Sequence, residues 1–191
     1  MNEGLKGQVQ RATEILRDPT HAKPARSFPD GQPEVDQAGL YAWRADPEGG
    51  TVLSRAFDAT LPELIYAGQA GATSSRAGVE RSATLRSRIT GNHLRGNIGS
   101  STFRKTLTAA LFDPLDLQLE RPGKLAAESN AAVSEWMRSH LRIATFACPD
   151  RSTLAALEHA VLNDLDPPLN LMGMSRTATR TGLKALRKRL G

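Results

Sequence analysis

The chain has 191 residues, a formal net charge of +5 and a hydrophobic content of 39%. This length suits one domain with added terminal segments, and the composition is not that of a disordered chain. A single cysteine, Cys148, excludes an intrachain disulfide and a cysteine-based zinc site. The N-terminal stretch has no apolar signal core, and no segment is apolar for long enough to span a bilayer. We therefore expect a soluble, cytoplasmic protein.

The positive charge is grouped in two parts of the chain. Between Arg76 and Lys105, seven basic residues accompany one acidic residue, and between Arg176 and Gly191 six basic residues accompany none. The first 60 residues, by contrast, hold nine acidic and seven basic residues. Grouped cations favour a polyanionic partner, nucleic acid first and an anionic membrane second, over ordinary surface charge.

In chain order, the N-terminal part predicts a helix, a proline-rich arm and a set of strands. Residues 2–18 form the helix, and residues 18–37, which contain four prolines, form a loop or arm laid over the domain. Residues 39–44 form a strand that ends at the turn signal DPEGG. Residues 51–57 form a second strand or an irregular return, and residues 63–69 form a further strand.

The rest of the chain predicts mostly helices after a loop of small polar residues at 70–80. A helix at about 81–89 is interrupted by the sequence TGNHLRGNIGSS, and the next helix begins near Ser100 or Ser101, either of which can cap it. The remaining segments are a helix at 126–139, a buried strand at 141–147, and helices at about 151–165 and 181–190. Asp150 or Ser152 can cap the 151–165 helix, and a Pro-Pro pair ends it.

Strands and helices mix with uneven spacing, so we expect an α+β fold and not a regular βαβ series. Three regions are predicted: an N-terminal helix and arm at 1–37, a main domain at 38–175 and a basic C-terminal helix at 176–191. The C-terminal helix places three leucines on one face, which predicts that it docks on the domain and turns its cations outward. These leucines are Leu183, Leu186 and Leu190.

One carboxylate stands at the edge of an apolar helical stripe. Leu154, Leu157, Val161 and Leu165 define that stripe, and Glu158 lies about 55° from its middle on a helical wheel. A carboxylate at such a margin costs free energy unless it is paired or binds a metal. From this helix alone, a structural ion pair with an arginine is the more common explanation.

Other polar residues indicate a function only when they are considered as a set. Asn170 follows Glu158 by twelve positions and would alone be read as a turn residue. Arg86 and Arg88 lie near the end of a predicted helix, with His93 five residues beyond Arg88. Each of these residues alone would be read as solvated surface, because a catalytic role needs a metal-binding carboxylate, a cation for phosphate and a proton acceptor together.

The chain has two tyrosines, and both lie near a glycine in strand-like runs, Gly39-Leu40-Tyr41 and Tyr66-Ala67-Gly68. An arginine, a histidine, a helical glutamate and an asparagine follow these tripeptides in that order. They are Arg88, His93, Glu158 and Asn170. The pattern resembles the GIY-YIG nuclease superfamily, which includes homing endonucleases and some restriction endonucleases. The resemblance runs from about residue 39 to residue 170.

The resemblance implies a small, mainly antiparallel sheet flanked by helices, with the motif tyrosines on neighbouring strands. It also implies metal-dependent hydrolysis of DNA, with one Mg²⁺ or Mn²⁺ bound by Glu158. By the same resemblance, Tyr41 is the general base or positions water, and His93 takes its proton. Tyr66 orients the phosphate or the water, and Asn170 fixes the local backbone or Glu158.

The resemblance also implies that an arginine contacts the scissile phosphate. We expect Arg88 in this role, with Arg86 as the alternative. The sequence departs from the family pattern at Leu40 and Ala67, where isoleucine is usual. His93 follows Arg88 by five positions where four is frequent, so the preceding residue, Asn92, competes for the role of the histidine.

Outside the catalytic pattern, the grouped cations predict contacts with the DNA backbone. These residues are Arg86, Arg95, Arg104, Lys105, Lys184, Arg187 and Lys188. Two other classes of function are left open. A domain of the same fold could bind DNA without catalysis, and an interaction protein could use the basic helix to bind an acidic partner.

Overall fold

The computed structural model describes residues 3–71 and 83–191. Within these ranges the chain forms six α-helices, one π-helix, three short 3-10 helices and six strands. The α-helices are α1 (Glu3–Arg17), α2 (Pro47–Phe57), α3 (Thr102–Leu111), α4 (Ala127–His140), α5 (Leu154–Leu165) and α6 (Ala178–Lys188). The strands are β1 (Lys23–Pro24), β2 (Gly39–Ala45), β3 (Leu64–Ala70), β4 (Leu119–Arg121), β5 (Lys124–Leu125) and β6 (Leu141–Ala147). The π-helix spans Ser87–Leu94, and the 3-10 helices span Pro19–His21, Ala25–Ser27 and Pro33–Asp36.

Four strands form one antiparallel sheet in the order β1-β6-β2-β3, and β4 pairs with β5 in a separate ribbon. On the central strand β2, Tyr41 pairs with Gly68 of β3 on one side and with Thr145 of β6 on the other. Trp43 pairs with Tyr66, so the two tyrosines lie on neighbouring strands. The predicted α+β fold with a mainly antiparallel sheet is confirmed.

Helices cover both faces of the sheet, which explains why all seven residues of β2 are buried. Successive strand residues point to opposite faces. Tyr41 and Trp43 therefore join one core together with residues of α2, α3, α4 and α6. Leu40 and Ala42 join a second core, which α1 and α5 complete.

The terminal segments pack into the same two cores. Helix α1 buries Val9, Ala12 and Leu16 in the core that it shares with α5, and β1 extends the sheet beyond β6. At the other end, Leu183 and Leu190 of the α6 region are fully buried, and Leu186 packs partly against the same core. The predicted docking of the C-terminal helix through its leucines is therefore confirmed. No helix in the described ranges is both long and apolar enough to cross a membrane.

The segment DPEGG begins a helix and does not form the predicted turn. The Asp46 carboxylate accepts a hydrogen bond from the Gly49 N–H at 2.7 Å, and Pro47 occupies the first helical turn. Aspartate as the cap and proline at the first position are typical of a helix start, but the same residues also favour turns. The predicted strand or return at 51–57 is therefore wrong, and these residues lie in α2.

The segment predicted to interrupt the next helix is helical only in its first part, and residues 95–101 form the expected break before α3. Residues 87–94 form the π-helix, and the Arg95 N–H bonds the carbonyl of Thr90, five residues earlier, at 3.0 Å. Most of the predicted loop at 70–80, and the start of the helix predicted at 81–89, lie outside the described residues. Helix α5 begins slightly later than predicted, at Leu154, because Asp150 accepts from the Ser152 N–H in a turn that precedes it.

Candidate active site

Both motif glycines are required by close approaches between strands. A Cβ atom on Gly68 would lie 2.8 Å from the Tyr41 hydroxyl oxygen. A Cβ on Gly39 would lie 2.2 Å from the carbonyl oxygen of Phe146 in β6. Any larger residue would therefore push the Tyr41 hydroxyl or its strand away from the neighbours that surround it. Gly68 is therefore required by the Tyr41 hydroxyl, and Gly39 by the close pairing of β2 with β6.

The π-helix brings Arg88 and His93 to the same tyrosine. A π-helix has i→i+5 hydrogen bonds and a wider turn than an α-helix, which brings side chains five positions apart closer to one face of the helix. His93 Nε2 lies 2.7 Å from the Tyr41 hydroxyl oxygen, and the Arg88 guanidinium is close enough to lower the pKa of the same hydroxyl. A spacing of five, which looked irregular in the sequence, thus matches the local helix type.

The two alternates occupy other positions. Asn92 donates a hydrogen bond to the Ser100 carbonyl at 3.2 Å, on the loop after the π-helix. Arg86 forms an exposed two-point ion pair with Asp36, with distances of 2.6 and 3.0 Å. Neither residue contacts Tyr41, so geometry favours His93 and Arg88 over their neighbours for the roles that the resemblance implies.

A buried chain of hydrogen bonds runs from Tyr41 through His93 to Ser101. The Ser101 Oγ atom lies 2.6 Å from His93 Nδ1 and also caps α3 by accepting from the Arg104 N–H at 2.9 Å. Burial, followed by the positive charges of Arg88 and Arg104, lowers the pKa of His93 well below its usual value. His93 is therefore neutral near pH 7, and one of its ring nitrogens is free to accept a proton.

Tyr41 rests in its neutral form. Burial raises the pKa of Tyr41 to about 12, although the adjacent Arg88 charge and hydrogen bond act in the opposite direction. With the proton of His93 on Nδ1, Nδ1–H donates to Ser101 and Nε2 accepts from the Tyr41 hydroxyl. The nearby Arg88 charge would stabilise negative charge on the same hydroxyl oxygen as the proton leaves.

Arg88 has an unfilled hydrogen-bonding position. Its Nε atom is buried and has no partner in the described part of the chain. Burial lowers the pKa of Arg88, but Tyr41, Tyr66 and Glu158 together outweigh that effect, so the guanidinium stays charged. A buried, charged donor without an acceptor is uncommon in folded proteins, and an anionic ligand would satisfy it.

Glu158 and Tyr66 face a cavity of about 340 Å³. Asn170, Thr102 and the exposed His159 complete its polar lining. Burial raises the pKa of Glu158 to about 7, with the Arg88 charge opposing the shift. Among residues 3–71 and 83–191, no side chain hydrogen-bonds or ion-pairs with this carboxylate. The structural ion pair that the helix alone would suggest is therefore not formed there.

The donor set fits a hard divalent ion held by one carboxylate. In the described residues, no group of three or more His, Cys, Asp or Glu side chains could enclose a metal. Mg²⁺ and Mn²⁺ do not need such a cage, because they commonly keep several waters and take one or two carboxylates plus substrate phosphate oxygens. An unpaired carboxylate in an open cavity, as at Glu158, is compatible with this mode of binding.

Asn170 anchors the second motif strand. Its Oδ1 atom accepts from the Ala67 N–H at 3.0 Å, and its Nδ2 donates to the Ala67 carbonyl at 2.8 Å. The preceding residue, Leu169, donates its N–H to the Ile65 carbonyl at 3.0 Å. These bonds hold the backbone on either side of Tyr66, so Asn170 contacts the strand and not Glu158.

Tyr66 itself is held by an aromatic stack. Its ring lies 4.5 Å from that of Phe103, which in turn stacks on Trp43 at 4.9 Å. Burial raises the pKa of Tyr66, and the neighbouring Tyr41 adds to the shift. The Tyr66 hydroxyl is therefore protonated at neutral pH and can donate a hydrogen bond into the cavity.

The structure corrects one predicted DNA contact. The Arg104 side chain is fully buried and donates to the carbonyl of His93 at 2.9 Å and to the side chains of Asn130 and Ser134. It stabilises the packing of α3, α4 and the π-helix and cannot reach DNA. Its place in α3, one residue after the buried Phe103, gave no sequence signal that distinguished it from the exposed cations.

The other predicted contacts differ in exposure. Lys105 donates to the Gly191 carbonyl at 2.9 Å from a partly exposed position. Arg95, Lys184 and Lys188 are exposed. Arg187, which the sequence placed outside the catalytic pattern, is only partly exposed, and its charge lowers the pKa of Tyr66 against the larger effect of burial.

Sequence reasoning missed two residues that shape the site. Ser101 was recognised as a cap, but its second contact, with His93, depends on the π-helix and carried no local signal. Arg180 was counted only as part of the basic C-terminus. It is buried and donates to Asp166, and to the carbonyls of Pro167, Asn170 and Ser175.

Comparison with known families agrees with this geometry. A family model described as the GIY-YIG catalytic domain matches residues 39–189. The match covers most of the chain, and the chain therefore belongs to the GIY-YIG family. It extends beyond the residues that carry the motif and includes α6. The chain matches no curated protein and no solved structure at a significant level.

Proposed function

We propose that this protein is a metal-dependent DNA endonuclease that hydrolyses phosphodiester bonds at a single active site. One observation carries the proposal. The unpaired Glu158 carboxylate and the buried, unpartnered Nε of Arg88 occur together beside the hydroxyls of two tyrosines. An anion that brings its own metal would satisfy both groups at once, and a phosphodiester with Mg²⁺ or Mn²⁺ has this chemistry.

In the proposed reaction, Tyr41 and His93 remove the proton from the attacking water. The water transfers its proton to the Tyr41 hydroxyl oxygen while that hydroxyl passes its own proton to His93 Nε2. No free phenolate has to accumulate, which matters because the pKa of Tyr41 is raised to about 12. The hydroxide formed attacks phosphorus in line with the leaving oxygen, which departs as the bond to phosphorus breaks.

The remaining residues hold the substrate. Arg88 binds a non-bridging phosphate oxygen through the donor that is otherwise unfilled, and Tyr66 donates a second hydrogen bond to the phosphate or to the water. Glu158 holds the divalent ion, which supplies positive charge against the negative charge that develops on the phosphoryl oxygens. Asn170 keeps Tyr66 in place through the backbone of Ala67.

The deciding experiment is incubation of the purified protein with supercoiled plasmid and with branched DNA, with and without Mg²⁺ or Mn²⁺. The proposal expects metal-dependent nicking that is absent in Glu158→Gln. Salt-dependent DNA binding without nicking would instead establish a DNA-binding domain that has lost catalysis. The absence of both would favour an interaction protein that uses its basic helix to bind an acidic partner.

A further inference from the structure

The six cations of the C-terminal segment are not equivalent. Two of them serve the fold. Arg180 binds the segment from Asp166 to Ser175 through its four contacts, and Arg189 forms a two-point ion pair with Asp113 at 2.6 and 2.7 Å. These two arginines hold the α6 region at both ends, so the position of the residues between them is fixed.

The apolar face of the helix fixes its rotation. Leu183 and Leu190 are fully buried in the core that contains Phe103 and Tyr66. Helix α6 packs on α3, the helix that carries Phe103. A side chain four positions after Leu183 lies on the same face of the helix, which packs on α3 and its Phe103.

Arg187 occupies that position. It is partly buried, and in the described part of the chain it forms no hydrogen bond from its side chain and no ion pair. It interacts electrostatically with the Tyr66 hydroxyl, and burial lowers its pKa. The guanidinium keeps access to solvent and can form charge-assisted hydrogen bonds to an incoming anion such as a phosphate oxygen.

We propose that Arg187 is a catalytic residue that binds a substrate phosphate oxygen next to Tyr66. The inference rests on the proposed nuclease function and assigns the C-terminal helix to the active site. Arg88 contacts the phosphate from the Tyr41 side, and Arg187 contacts it from the Tyr66 side. Two guanidinium groups then face the negative charge that develops during cleavage, where fixed cations have their greatest effect.

The test compares Arg187→Met, which keeps much of the side-chain length, with Arg187→Lys and Arg55→Ala. Arg55 is an exposed cation on α2 outside the site, so its removal changes net charge equally. Single-turnover cleavage at saturating DNA should fall about 100-fold or more in Arg187→Met, the range found for loss of one preorganised donor. Arg187→Lys should recover part of that loss, and Arg55→Ala should cleave like the parent.

In Arg187→Ala, which leaves space for the missing group, a low, non-denaturing concentration of guanidinium should restore part of the lost rate, and it should not accelerate the parent. The inference is overturned if folded Arg187→Met cleaves at the parent rate at saturation. It is also overturned if the lost rate follows a lowered melting temperature and neither lysine nor guanidinium restores it. Failure of the parent protein to nick DNA under any metal condition would instead reject the proposed function itself.

Discussion

At the scale of single residues, burial disfavours the ionised forms that two residues of the site need for the proposed reaction. Glu158 must be ionised to bind a metal, yet burial raises its pKa to about 7. Tyr41 must lose a proton, yet burial raises its pKa to about 12. Only the Glu158 shift costs stability at neutral pH, because Tyr41 is protonated there in both the folded and the unfolded chain.

Replacing Glu158 by glutamine should stabilise the protein at alkaline pH while removing cleavage. The raised pKa means that the folded state retains the proton after the unfolded chain has lost it. The parent therefore loses stability as pH rises from about 4.5 to 7, by at most about 3 kcal/mol from a shift of this size.

Thermal melts of parent and Glu158→Gln at pH 4 and pH 8, without divalent metal, test this expectation. The glutamine variant should gain in melting temperature relative to the parent at pH 8 but not at pH 4. Added Mg²⁺ should raise the melting temperature of the parent alone, because only the parent keeps the carboxylate. Equal pH dependence in the two proteins would show that Glu158 ionises normally.

Replacing Tyr41 by phenylalanine should reduce cleavage at least about 100-fold, as expected for loss of a group in general base catalysis. It also leaves His93 Nε2 buried without its partner, which costs about 1–3 kcal/mol of stability. Single-turnover kinetics and urea unfolding measure the two effects separately. A variant that cleaves normally would leave Tyr41 with a packing role and make Tyr66 the better candidate for the base.

At the scale of elements, β3 and the π-helix place the reactive groups. Replacing Gly68 by alanine should displace the Tyr41 hydroxyl, since the new Cβ would lie 2.8 Å from its oxygen. We expect a loss of about 1–3 kcal/mol in stability, typical of overpacking, and a greater proportional loss of activity. Gly50→Ala in α2 is the matched control, because its added Cβ has no neighbour within 4 Å. Denaturant unfolding and nicking assays of both variants should separate the clash from a general effect of alanine.

The exposed cations of α6 should contribute to DNA affinity separately from Arg187. Each phosphate contact adds about 0.9 to the magnitude of the slope of log K against log salt concentration. Changing Lys184 and Lys188 together to glutamine should lower that slope by up to about 1.8 units if both contact phosphates. Binding titrations at several salt concentrations provide the measurement, and an unchanged slope would place DNA on another face.

The elements differ in how well the sequence predicts them. Strands β2, β3 and β6 follow from short apolar runs, and the helix containing Glu158 follows from its periodic leucines. Helix α2 does not, because the Asp-Pro pair that begins it is equally suited to a turn. The π-helix was not predicted, because the glycine and polar residues of the segment TGNHLRGN are also typical of a loop.

At the scale of the whole molecule, the terminal segments pack into the cores of the domain. Helix α1 shares its core with α5, the helix of Glu158, and α6 shares the other core with Tyr66. The motif predicts which residues meet, because their types and order are characteristic. It does not predict which cations are buried, because Arg104, Arg180 and Arg187 resemble surface residues until the packing of distant segments is known.

Asn170 also shields the edge of the sheet from pairing with another copy of the protein. Strand β3 is the last strand of the sheet, and Asn170 occupies the backbone groups of Ala67 that another strand would otherwise pair with. Asn170→Ala should therefore promote self-association through strand addition, besides lowering activity. Light scattering of the variant and the parent at increasing concentration would detect this. A variant that stays monomeric would show that the residues next to Asn170 in the same molecule shield the edge of β3 without its side chain.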